Sequence, residues 1–407
     1  MKSRIFLAVL YFYALFFSVC RTVRFPNDWA MAHWLMDYHS GIIKRGLAGE
    51  IFGFLFTKTE LNITIVSAVV LVVLYLAVLM IALKESFRKK IQPLAVLFYL
   101  TFFISQYVVF SAHLIGYLDH LIFLMAILTV FLIRKKKVFI ASLIAGLSVF
   151  IHEISFFLLI PVSVFALILS EIQAREFSLK KLMEGMMVRK MFIFLMLPVA
   201  SLVSVFYLQE YHLRLNHSQI FSSLKDSGFI SESAADSVAS GFTKSFAYQW
   251  EAQNPHFFQR ILMSTCTVFY GIPIAFMLLI IFKIFNLRKN LTLFFATVFI
   301  CLCPLFLHAI AYDTYRIWTF PLMIVFLLFW ILNSSETESL NFEKFPKSEF
   351  IIFIISLLLM VFTPLHLFDN EVENVSFFNK MIVLLQIIFI TLFGVKKISD
   401  LKKPEIK

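Results

Sequence analysis

Four stretches of the chain place charged or titratable side chains at spacings that suit chemistry on a phosphate. The first runs from Arg21 to Phe56 and holds Asp28, His33, Asp37, His39, Lys44, Arg45 and Glu50. Pro26-Asn27-Asp28 reads as a helix start, with Asp28 at the N-cap. Trp29 to His39 then forms a helix lying in a membrane interface, on which His33 and Asp37, four apart, share a face. Gly41 and Gly46 break the chain on either side of Lys44-Arg45, and Leu47 to Phe56 resumes as a second apolar interfacial helix. Arginine offers a planar fork and lysine a point charge, so two cations between glycines suit a phosphate or pyrophosphate headgroup. They equally suit plain contact with anionic lipid.

The other three stretches are short. His152-Glu153 interrupts an apolar run, and a charged couple in hydrocarbon is costly, so it reads as a turn between two short helices. Asp119-His120 and His113 lie beside another turn. Asp313-x-x-Arg316 can pair on one helix face, as an ion pair closing a helix end or as an arginine steered toward a phosphate. A second long polar stretch, 209–261, reads as a small insert. Its Ser218–Gly241 portion suggests a mobile loop or lid. Tyr248, Trp250, His256, Phe257 and Phe258 give either a shelf for a sugar ring or an interfacial aromatic belt.

The elements that position these residues must be membrane helices. Of the 407 residues, 60% are hydrophobic and 15% charged, and the mean hydropathy is +0.88. A soluble domain is about half apolar and a quarter charged, so one water-soluble globule cannot bury this chain. With roughly 20 apolar residues needed per crossing, twelve spans are expected: 5–20, 63–83, 93–111, 118–133, 138–152, 154–170, 191–208, 262–282, 291–311, 317–332, 350–368 and 381–395. The fold class is thus all-α, a single polytopic integral membrane domain over 1–407. Its first outer loop, 21–62, carries interfacial helices, and 209–261 is the second outer insert. The first segment lacks a small-residue cleavage site and reads as a retained helix.

Lysine and arginine set the orientation. With the N-terminus cytoplasmic, 25 of the 36 Lys and Arg fall on the inner side, which carries +15 against −4 outside. Both termini are then cytoplasmic, and all ten histidines fall at the outer side. The four cysteines, Cys20, Cys266, Cys301 and Cys303, form no disulfide framework and lack zinc spacing. No phosphate loop, dinucleotide fingerprint or H-E-x-x-H is present. The basic residues do not interleave with aromatics on a soluble face, so nucleic acid is not a partner.

The layout resembles the GT-C superfamily of polytopic glycosyltransferases, which use polyprenyl-phosphate sugars. The resemblance rests on Asp28 shortly after the first span, on interfacial helices in the first outer loop, and on short paired spans at 138–170. Polysaccharide polymerases of the O-antigen type are similar in span count and in a sizeable outer loop. The resemblance implies transfer or polymerisation of lipid-linked sugars in cell-envelope glycan synthesis, at the outer face of a bacterial inner membrane. It implies Asp28, or Asp37, as the base. Lys44, Arg45 and Arg316 would receive the phosphate charge. His113, His152, Glu153 and Asp313 would hold the acceptor or orient these groups. Partners would be a lipid-linked donor, a glycan or lipid acceptor and membrane lipid. No metal or cofactor is expected, since the acidic pair frequent in that family's loop is replaced by Asn27-Asp28. The alternatives are a twelve-helix secondary transporter and a non-enzymatic membrane assembly protein.

Overall fold

The computed structural model describes residues 2–39, 41, 43–88, 92–208, 216–335, 347–362 and 375–400. Among these the chain is all-helical, without strands. Six helical segments are long and apolar enough to cross a membrane: Glu60–Arg88, Pro93–His113, Gly185–Tyr207, Cys266–Ile284, Leu291–Ala309 and Thr314–Ser334. Other apolar helices overlap some of the remaining expected stretches, among them Lys2–Cys20, Val138–Ile151, Ile160–Glu171, Lys347–Phe362 and Phe377–Asp400.

Two segments form the axis. Pro93–Ile104 and Gln106–His113 are buried along nearly their whole length, as is Thr314–Ser334. Aromatic rings knit them together: Phe98 stacks on Phe329 at 4.2 Å between centroids, and Phe102 meets Phe326 at 4.3 Å. The expected span 93–111 is broken at Ser105, whose backbone is extended. An unbroken apolar run carries no periodicity to announce such a break. Peripheral helices show the opposite character. Glu60–Arg88 leaves Val69, Val72, Leu76 and Met80 exposed, and Gly185–Tyr207 leaves Phe192 and Val203 exposed. Such faces fit hydrocarbon rather than water. A small residue lets Val138–Ile151 and Gly185–Tyr207 approach closely: a Cβ on Gly146 would lie 3.1 Å from Ser201 Oγ and 3.3 Å from Leu197.

Polar contacts sort to the two ends of the bundle. At one end Glu85 meets Asn333, Lys136 and Lys190 both reach Glu171, Lys283 meets Glu349, and Asn290 bonds the carbonyls of Ala174 and Phe177. At the other, Arg24 bonds the carbonyl of His113, Trp34 that of Gly116, and Arg260 those of His308 and Ala311. The segments joined at the first, basic end are those expected inside, and the segments joined at the second are those expected outside. Eight histidines lie in the second group; His212 and His366 lie outside the described residues.

Candidate functional site

The first loop folds differently from its expected form. Asn27, not Asp28, is the N-cap: its side chain accepts the Ala30 N–H at 2.9 Å, and Asp28 opens the helix Asp28–Leu35. Asparagine and aspartate cap about equally well, so the sequence did not choose between neighbours. This helix stops at Leu35 rather than His39. Its end is pinned by the second loop helix, Gly46–Leu55, where a Cβ on Gly49 would sit 2.0 Å from the Met36 carbonyl oxygen. His33 and Asp37 therefore do not share a helix face. Gly41 takes a left-handed backbone, φ 121°, but the second such position is Arg45, φ 61°, and not Gly46, which is helical and lies under the Tyr38 ring. A left-handed arginine is uncommon and costs of order 1–3 kcal/mol, which the surrounding contacts must offset.

Those contacts are to Glu153. Arg45 Nε donates to both carboxylate oxygens, at 2.9 and 3.1 Å, and Nη2 donates to Oε1. Glu153 sits in the expected turn between Val138–Ile151 and Ser155–Leu158. His152 Nδ1 is 3.3 Å from its Oε2. A second forked pair lies in the same end. Arg316, in the first turn of Thr314–Ser334, donates from Nε and Nη2 to the two oxygens of Asp119, each at 2.7 Å. Its Nη1 donates to Asp313 at 3.0 Å.

His33 stands between the two arginines. Its Nδ1 is 2.6 Å from the Trp29 carbonyl oxygen. A carbonyl only accepts, so Nδ1 carries the hydrogen and Nε2 is left as an acceptor. Its ring contacts Tyr117 on one side and Phe242 on the other, at 6.1 and 5.7 Å. Tyr117 lies under the Arg316 guanidinium at 4.8 Å, and Phe242 under that of Arg45 at 5.8 Å. Arg45, Phe242, His33, Tyr117 and Arg316 thus form one continuous arc.

Phe242 belongs to the second insert. Ser218–Gly241 is not a loop but a helical hairpin, His217–Asp226 and Glu232–Thr243, turning at Gly228. Ile220, Leu224, Ala235, Val238 and Phe242 give it an apolar inner face, a helical period hidden by its many serines. The hairpin rests on the first loop. Asp28 Oδ2 accepts the Ser231 N–H at 3.0 Å, and Lys44 Nζ donates to the Lys244 carbonyl at 3.1 Å. Tyr248, Trp250 and Phe258 are exposed beyond it.

Electrostatics follow from this packing. Burial pushes the His33 imidazole down to about 3; the charge of Arg45 adds to this, and those of His152 and Arg316 contribute. His152 is lowered by burial and by Arg45. Burial raises the Glu153 carboxyl, but Arg45 and His152 outweigh it and hold it well below the usual carboxylate range. His33 is therefore neutral in the fold and protonated in the unfolded chain between its ordinary 6.5 and about 3. The unfolded state binds the extra proton there, so the contribution to stability is complete above pH 6.5 and is lost as pH falls toward 3. Replacing His33 by Gln should flatten that part of a thermal-stability profile against pH. An unchanged slope would place the acid sensitivity elsewhere.

The remaining expected residues lie apart from the arc. Asp37 pairs with Lys58 and lies 3.1 Å from His39 Nδ1. Burial raises its carboxyl, and the Lys58 bond outweighs this and lowers it. Asp37, His39 and Glu50 each bring one possible ligand atom within 4.8 Å of the others, and the Lys58 ammonium already supplies a positive charge there. His113 is buried, and its carbonyl takes the Arg24 bond. Asp119 and Tyr117 are the residues that sequence reasoning underweighted: their partner Arg316 is about 200 positions away, and no local spacing links them. No family model matches the chain, and no curated protein and no solved structure matches it.

Proposed function

We propose that the chain is a membrane glycosyltransferase or polysaccharide polymerase that takes sugars from a polyprenyl-phosphate carrier at the outer face of a bacterial inner membrane. The observation that carries this reading is the arc of two forked arginines around a neutral imidazole, set beside a loop and a helix that present Phe25 and Phe54 to the surroundings, 82% and 87% exposed. A lipid-linked phosphate meets such a place with its chain in hydrocarbon and its sugar above.

In the reaction the bond between the anomeric carbon and the carrier phosphate breaks, and a bond to the acceptor oxygen forms. The departing phosphate gains negative charge. Arg45 is placed to receive it, because its Nη1 makes no hydrogen bond to a described residue, and Arg316 adds to the field. The acceptor hydroxyl loses a proton to a base. Asp28 suits this better than Asp37, whose carboxylate is held by Lys58. Glu153, Asp119 and Asp313 hold the guanidiniums in position, Lys44 ties the loop to the insert, and His152 sits against Glu153. The axial segments are filled by stacked phenylalanines, so a transporter reading, which needs a polar site near the midplane, gains no support from them.

Deleting the chain from its host should accumulate the lipid-linked sugar and shorten or abolish one glycan. Wild type should restore it. Arg45→Lys keeps the charge but loses the fork that Glu153 holds in place, and should restore it at least tenfold more weakly, about 1.4 kcal/mol in barrier height. Purified protein that exchanges a free solute across liposomes while leaving the lipid-linked sugar intact would refute the proposal. The accompanying topology places twelve spans with both termini inside. A cysteine at Ser233 should react with an impermeant maleimide in intact cells, and one at Lys135 only after permeabilisation. Three native cysteines, Cys266, Cys301 and Cys303, are buried and give little background. The reverse labelling pattern would overturn the orientation.

A further inference from the structure

A second binding site lies at the basic end, away from the arc. Three helices finish there: Asp119–Arg134, Ile160–Glu171 and Thr314–Ser334. Between their ends opens a cavity of about 330 Å³ lined by Arg134, Lys136, Glu171, Ser334 and an apolar wall including Leu169 and Ile331. Helix C-termini carry partial negative charge, and the chain answers them with four consecutive cations, Arg134 to Lys137. Lys136 takes a left-handed backbone, φ 62°, and donates to the Ser170 carbonyl at 2.6 Å and to Glu171 at 2.8 Å. Lys190 reaches the other oxygen of Glu171 at 2.6 Å. Glu171, the one acid among the lining residues, is therefore neutralised twice.

Arg134 is different. Its guanidinium lies over the Trp330 ring at 5.4 Å, within the fields of Glu85 and Arg88, and no described residue forms a hydrogen bond or close ion pair with it. An arginine fork lying on an aromatic ring beside a cavity with net positive charge suits a phosphate oxygen pair. The apolar wall beside it, at the level where three helices end, suits the glycerol and first methylenes of a lipid rather than a free ion. We propose that this cavity binds the phosphodiester headgroup of an anionic phospholipid, with Arg134 as the fork, Lys136 as a second cation and the Leu169–Ile331 wall against the lipid's glycerol. Basic pockets between helix ends on the cytoplasmic side are where such headgroups are held. The proposal does not depend on the glycosyl-transfer reading.

The test uses the full chain in detergent, stripped of lipid, with phosphatidylglycerol, phosphatidylcholine or inorganic phosphate added. Retained lipid is counted by native mass spectrometry. Wild type should hold phosphatidylglycerol about tenfold more tightly than phosphatidylcholine, a difference of about 1.4 kcal/mol. Arg134→Gln should remove most of that preference. Arg134→Lys keeps the charge without the fork and should bind phosphatidylglycerol several-fold more weakly than wild type. Arg175→Gln, an exposed cation at the same end, should change nothing. Wild-type binding in both Arg134 variants, or a loss in Arg175→Gln as large as in Arg134→Gln, overturns the site. Inorganic phosphate that binds equally well, with no preference between the two lipids, assigns the cavity to a free anion and overturns the lipid.

Discussion

Arg316→Gln should lower the stability of the folded chain by about 3–5 kcal/mol, the usual cost of stranding one partner of a buried ion pair. The guanidinium and the Asp119 carboxylate are 13% and 7% exposed, and all three nitrogens of Arg316 are bonded. The substitution leaves Asp119 largely out of water with an amide in place of the guanidinium and only the buried imidazoles of His120 and His152 nearby. The loss should appear as a drop in melting temperature and in yield of detergent-solubilised protein. The double variant Arg316→Met, Asp119→Leu removes both charges and should recover most of that stability, because well-packed apolar pairs commonly match buried ion pairs. It should not recover glycan extension if Arg316 lends its field to the departing phosphate. Stability and activity then separate within one pair of residues. A single Arg316→Gln variant that melts like wild type would show the pair to be open to water and the arc looser than described.

The second large effect concerns Asp28. Asp28→Asn should leave folding within about 0.5 kcal/mol of wild type. The amide oxygen still accepts the Ser231 N–H, and Asn27 performs the capping. As a base, however, the amide is useless, and transfer should fall by about 10²–10⁴-fold, the range for removing a general base. The assay is glycan extension at matched membrane levels. Asp37→Asn tests the other carboxylate and should act through stability, by releasing Lys58. His33→Gln makes the remaining cut. Full activity in both aspartate variants with loss in His33→Gln would move the proton to the imidazole Nε2 and remove Asp28 from the mechanism.

The sequence carried the helices well, because runs of apolar residues are forced by the hydrocarbon thickness and leave little freedom. Lys and Arg placement sorted segments to ends that the described contacts also join, as with Lys136 to Glu171 and Arg24 to His113. Local pairs were legible where the helix period brings them together, as for Asp313 and Arg316. The arc itself was not. Arg45 to Glu153 spans 108 positions and Arg316 to Asp119 spans 197. Nothing in local spacing marks partners at such distances. The break at Ser105 and the left-handed turn at Arg45 were hidden for a related reason: each is imposed by packing, against an intrinsic preference that points elsewhere. The hairpin's serines suggest a loop, while its buried positions repeat with a helical period.

The phenylalanine stacks along the axis have an electrical consequence. In a bilayer the two ends of this bundle face compartments that differ in voltage and pH, and a water-filled seam between them would carry protons down that gradient. Phe98 on Phe329 and Phe102 on Phe326 close the axis with rings that offer water no hydrogen bond. The layer acts as a dielectric spacer. It lets charged residues gather at one face and basic turns at the other without short-circuiting the membrane that holds them. Shrinking one ring, as in Phe326→Ala, should cost about 3–5 kcal/mol in packing, yet the gap left behind is lined by rings and should stay dry, so a dye reporting internal pH in proteoliposomes should register no current.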